Sequence, residues 1–276
     1  MSAADGPARL GLPLFASEVG MLLRRRRNQL ILLALVAIPI VIGVAVRLTS
    51  SNATGGLIGS ITDNGIFVAF TALVVVIPIF LPVAVSVVVG ESVAGEANLG
   101  TLRYLLVVPV GRTRLLFTKL AAIAVWCLVI VSVVALAGVL TGVVLFPAGR
   151  VTLLSGTQIS LLAGIGRLVV VAGYAALLML GLSAVGLFIS TLTEVPIAAM
   201  AATLTFAVTM QVLVAVPQLH AVHPVLLSNS YLAFADLLRD PIGWSGVGHG
   251  ALLSLAYLVI FGSLAWARFT TKDVSS

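Results

Sequence analysis

Few side chains in this sequence could carry out chemistry, and their spacing narrows the options. His220 and His223 stand three apart, as two ligands on one helix face would. No cysteine or fixed carboxylate accompanies them, whereas a zinc site draws three or four ligands from such residues, so no metal is expected. His249 opens a later apolar run and reads as interfacial. An intramembrane hydrolase or transferase needs paired acids, a serine–histidine pair or metal ligands at depth. The apolar runs hold almost no ionisable group beyond Arg167 and Glu194 near their ends. Arg167 either meets an anionic substrate or snorkels to the headgroups. Glu194, in the short connection "STLTEVP", either makes an inner-face contact or anchors at the interface. Inside the runs are hydroxyls, among them Thr205 and Thr209, four apart on one face, with Gln211 nearby. They line a path for hydrophobic or amphiphilic cargo, or bond their own helix backbone. Five scattered methionines form no copper relay. Neither Lys119 nor Lys272 follows a glycine, so no G-x-x-x-x-G-K-S/T phosphate loop is present. No catalytic residue is expected, and the chain is not expected to be an enzyme.

The elements that would position these groups are apolar helices. Only 9% of the 276 residues are charged and 61% are hydrophobic, against about 25% charged in soluble proteins. Mean hydropathy is +1.23. Runs long enough to cross about 30 Å of hydrocarbon recur along the chain. Six spans are expected, near 29–46, 64–90, 119–145, 161–190, 195–216 and 250–268, within one integral domain covering 1–276. Residues 1–28 form an N-terminal segment in which Phe15, Val19 and Leu22 share a face. They make either an amphipathic elbow helix in the headgroup layer or a plain basic flank. Arg24 to Arg27 precede a run too long for a signal peptide, which reads as a retained first span. Pro78 and Pro82 each remove a backbone donor, so a kink is expected in the second span. Gly138 and Gly142 form a G-x-x-x-G pair that permits close helix approach. Residues 217–249, broken by Pro217, Pro224 and Pro241, are too interrupted to cross alone.

Lys and Arg fall eleven on the side of the N-terminus and four on the other. Both termini are therefore expected in the cytoplasm of a multi-pass cell-membrane protein. The net charge of +6 then faces anionic headgroups rather than nucleic acid. The single cysteine, Cys127, excludes an internal disulfide.

One polar island stands out. Between Glu91 and Lys119 lie Glu91, Glu96, Arg103, Arg112, Arg114 and Lys119, six of the chain's 15 basic and nine acidic residues. The loop 91–118 is far longer than a hairpin needs. Leu99, Leu102, Leu105 and Leu106 fall at helical spacing before Pro109. The pattern suits a short amphipathic helix, docked on another protein or resting on the bilayer.

The run "ESVAGEANLGTLRYLLVVPVGRTRLLFTK" resembles the first cytoplasmic loop of ABC type-2 permeases, with Glu96, Gly100, Thr101, Leu102, Pro109, Val110, Arg112 and Lys119 at matching places. The resemblance extends to nearly the whole chain. It implies a cytoplasmic coupling helix in 91–118 that inserts into a separate nucleotide-binding subunit. Glu91, Glu96, Gly100, Thr101, Leu102 and Arg103 would be the docking residues, with Glu194 as a second small contact. It also implies re-entrant half-helices in the external tract 217–249, a dimer of permeases, and ATP and Mg bound only by the partner subunit. The function implied is export of a hydrophobic or amphiphilic substrate. The alternative is a membrane scaffold or immunity-type protein that binds a partner without moving cargo.

Overall fold

The computed structural model describes residues 11–49, 64–98, 111–146, 151–153 and 155–271. They form helices α1 (Gly11–Arg24), α2 (Arg26–Thr49), α3 (Phe67–Val76), α4 (Phe80–Ser92), α5 (Ala94–Asn98), α6 (Arg112–Leu145), α7 (Leu161–Leu192), α8 (Pro196–Ala215) and α9 (Trp244–Thr271). Strands β1 (Val151–Thr152) and β2 (Gln158–Ile159) pair as a small antiparallel hairpin, Val151 opposite Ile159. At 1.5 Å per residue a span needs about 20 residues. Helices α2, α6, α7, α8 and α9 are each long and apolar enough to cross, and α3 with α4 makes a sixth if the bent pair is one span. This is an all-α membrane protein.

The bend lies where the prolines placed it. Helices α3 and α4 meet at 57° across Ile77–Ile79, with Pro78 in the break. Pro82 sits inside α4, and its missing N–H deprives the Pro78 carbonyl of its usual partner four residues on. Gln211 of α8 donates its amide Nε2 to that same carbonyl. The broken span forms the centre of the bundle: Phe67, Leu73, Ile77 and Leu81 are fully buried. Trp126 of α6 packs there and donates Nε1 to Ala84 O at 3.2 Å. Helices α2, α8 and α9 lie outside and expose most of their apolar surface.

The glycine pair acts as its spacing predicts. A methyl on Gly138 would collide with the Ala69 backbone and one on Gly142 with the Gly65 carbonyl, so α6 and the start of α3 touch backbone to backbone. Helix α6 begins at Arg112, about two turns before the expected span start at residue 119. The basic residues Arg112 and Arg114 are thus already helical, and Lys119, two turns on, is buried. Helix α7 is capped by Ser160, whose Oγ accepts from Ala163 N at 3.3 Å.

Leu22 and Leu23 of α1 pack against the core beside α6, while Arg24 at its end stays exposed. One expectation changes. The tract after α8 contains no α half-helices. It runs as four 3-10 turns, Pro217–Leu219, His223–Val225, Leu227–Ser230 and Ala233–Leu238. Prolines at the start of the first two interrupt the donor ladder each time it restarts.

Candidate functional site

The polar island is built on the corner between α4 and α5. Ser190, fully buried near the end of α7, holds that corner. Its Oγ accepts from Val93 N at 3.2 Å and Ala94 N at 3.0 Å, and donates to Gly90 O at 3.1 Å. The hydroxyl thus satisfies the donors that the helix break exposes. Sequence reasoning passed over Ser190, because a hydroxyl near the end of an apolar run carries no signal of its partner.

Around the corner, charges link five helices, α1, α2, α4, α5 and α6. Glu91 accepts from Arg25 Nη1 at 2.6 Å and from Arg27 Nη1. Lys119 is 4% exposed, and its Nζ lies 2.5 Å from Glu96 and 3.4 Å from Glu18. A buried ammonium costs several kcal/mol unless paired, so two carboxylates converge on it. Burial raises the Glu96 carboxyl above its usual range, outweighing the attraction of Lys119. Between these groups lies a cavity of about 490 Å³, lined by Glu18, Arg25, Glu91, Glu96, Lys119 and Pro196 among others. At the same end Arg112 Nη1 donates to Thr270 O at 3.0 Å, and Trp266 Nε1 to Thr113 Oγ1 at 3.1 Å, joining α6 to the end of α9.

Of the residues expected to dock on a partner, Glu91 and Glu96 are brought together here, but on internal cations. Gly100, Thr101, Leu102 and Arg103 lie outside the described residues. Glu194 is exposed in the turn between α7 and α8, at the same end of the bundle. Of the three pathway candidates, Thr205 and Thr209 face outward from α8. Gln211 is half-buried and replaces the hydrogen bond that Pro82 deletes, a structural duty that the sequence did not reveal.

At the opposite end the 3-10 tract is fastened through its carbonyls. Arg167 Nη1 donates to Leu237 O and Arg239 O, both at 3.0 Å. Tyr174 Oη donates to Ser230 O at 2.8 Å and Tyr257 Oη to Val225 O at 2.9 Å. His249 Nε2 lies 2.8 Å from Pro224 O, and His223 Nε2 lies 3.2 Å from Leu213 O. Arg167 and His249 thereby serve the backbone of the tract, whereas His223, within the tract, reaches back to the carbonyls at the end of α8. His220 is exposed. Among the described residues no three His, Cys, Asp or Glu side chains converge.

A search of curated proteins returns no match. Residues 40–275, from the middle of α2 through α9, match the model of the family described as "Protein of unknown function (DUF2705)", and the chain belongs to that family.

Proposed function

We propose that this chain is the membrane subunit of an ATP-driven exporter. In this reading it works as a homo- or heterodimer with a separate nucleotide-binding subunit that holds ATP and Mg. Its termini and ion-paired end face the cytoplasm. The loop after α5 is the coupling element, and the substrate is hydrophobic or amphiphilic, a drug, lipid or lipid-linked molecule. The resemblance of "GEANLGTLRYLLVVPVGR" supports this. So does one observation that carries most of the weight: both flanks of that loop, the α4–α5 corner and α6, are tied by Glu91, Glu96, Lys119 and Ser190 to α1, α2 and α7. A force applied to the loop is passed at once to those three helices. The outward hydroxyls Thr205 and Thr209 then belong to a path completed by the second permease subunit.

The test is cross-linking from L102C. Cys127 is buried and does not compete for a polar reagent. Cross-linking in membranes should capture a nucleotide hydrolase, and the purified complex should hydrolyse ATP faster with amphiphilic substrates than without. Purification with no associated hydrolase, or labelling that places Arg112 on the exterior, would overturn the proposal. The first result would favour a scaffold or immunity-type role.

A further inference from the structure

The four consecutive arginines at the α1–α2 junction divide by direction. Arg25 and Arg27 turn to Glu91. Arg24 and Arg26 are exposed, and among the described residues neither makes an ion pair or hydrogen bond. Arg26 heads a stripe at helical spacing along α2, through Leu30 and Leu33 (both 65% exposed), Val41 (65%) and Leu48 (79%). At 1.5 Å per residue that stripe is roughly 30 Å long, the thickness of the hydrocarbon layer. Arg26 therefore stands at its boundary, at the level of the lipid phosphates.

The neighbouring face of α1 is shaped to complement it. Ala16, Ser17, Gly20, Met21, Arg24 and Arg25 line a shallow cavity of about 520 Å³. The small residues permit close approach of a glycerol backbone, and Met21, 48% exposed, offers apolar surface to the first methylenes. A guanidinium presents paired donors that match phosphate oxygens. A zwitterionic headgroup would bring an ammonium against the same arginines, whereas an anionic one would not. We infer that Arg24 and Arg26, with the outer face of α1, bind the headgroup of an anionic phospholipid from the adjoining leaflet. The site rests on α2 being a membrane span and is independent of the transport reading.

Native mass spectrometry of the full chain, delipidated in detergent, tests this with phosphatidylglycerol and phosphatidylcholine of identical acyl chains. Wild type should retain phosphatidylglycerol more tightly on the order of tenfold, from two basic side chains near a membrane surface. The preference should shrink as salt is raised. R24Q/R26Q should abolish it, while R27Q, which leaves the lining of the cavity intact, keeps it. Size-exclusion profile and helix content confirm that each variant is folded, and R24K/R26K should retain the preference if the glutamine pair proves unstable. Equal retention of the two lipids by wild type overturns the inference, as does an unchanged preference in R24Q/R26Q. Displacement by inorganic phosphate at an equal concentration also overturns it, by assigning the site to a free anion.

Discussion

The two ends of the bundle are held by different chemistry. At one end side-chain charges pair with each other: Arg25 and Arg27 with Glu91, Lys119 with Glu96 and Glu18. At the other, side chains donate to backbone carbonyls of the 3-10 tract, from Arg167, Tyr174 and Tyr257. The second arrangement follows from the backbone. Short 3-10 turns leave carbonyls without helical partners, and such groups must be satisfied away from water. In the first arrangement only Lys119 is so compelled, because a buried ammonium needs a counter-charge. The pairs of Arg25 and Arg27 with Glu91 are part exposed and could be rearranged while the helices stay intact. The tract, in contrast, is bound to α7 and α9 at several points and travels with them.

Substitutions can break or sharpen this contrast. The largest effect is expected from K119M, which leaves Glu96 and Glu18 facing each other around an apolar side chain. The loss should be about 3–5 kcal/mol, measured by thermal or denaturant unfolding in detergent, and K119M/E96Q should recover part of it. Full stability in K119M would show that the buried pairs are not holding the corner. Next, G142A should cost about 1–3 kcal/mol by forcing α6 from the Gly65 carbonyl. It affects neither polar end directly, so it calibrates how far simple loss of packing spreads.

At the tract, Y174F leaves Ser230 O unpaired and should cost about 1–2 kcal/mol. Limited proteolysis between residues 217 and 243 should become faster while the opposite end stays protected. The smallest effect belongs to R25Q, about 0.2–1 kcal/mol, because the Arg25 side chain is 48% exposed and its pair with Glu91 is screened. A loss as large as that of K119M would mean that Arg25 is more deeply engaged than its exposure indicates.

Proton linkage gives a further handle on the ion-paired end. Glu96 holds its proton more tightly when folded than an unfolded carboxyl with the usual value of 4.5. Its stabilising contribution is therefore complete below that value and is lost as pH rises through the folded pKa. E96Q should flatten this part of the stability profile, which unfolding measured from pH 4 to neutral would reveal.

Much of the architecture is legible in the residues, because hydropathy acts over many positions at once. Each expected span corresponds to a helix or to the bent α3–α4 pair. The Pro78 break and the Gly138–Gly142 contact follow from local stereochemistry. Pairing between distant side chains is different. That Arg25 and Arg27 meet Glu91 depends on how α2 lies against α4, and that Lys119 turns inward depends on the rotation of α6 about its axis. Both are set by tertiary packing. Gln211 makes the same point: its amide reads as path-lining until the carbonyl stranded by Pro82 is found beside it. The amphipathic pattern of α1 was visible, yet pattern alone could not say whether lipid or protein would cover its apolar side.

The contact between α4 and α8 limits how the bundle can move. Gly90 lies against the Met200 backbone near one end, and Pro78 meets Gln211 near the other. Two anchor points of this kind lock the helices in a shared register. Sliding by a single residue, about 1.5 Å, would strand the Pro78 oxygen in a medium that offers no replacement donor. Any displacement of α8 must therefore carry the lower half of the broken span along, as one lever pivoting at Ile77–Ile79.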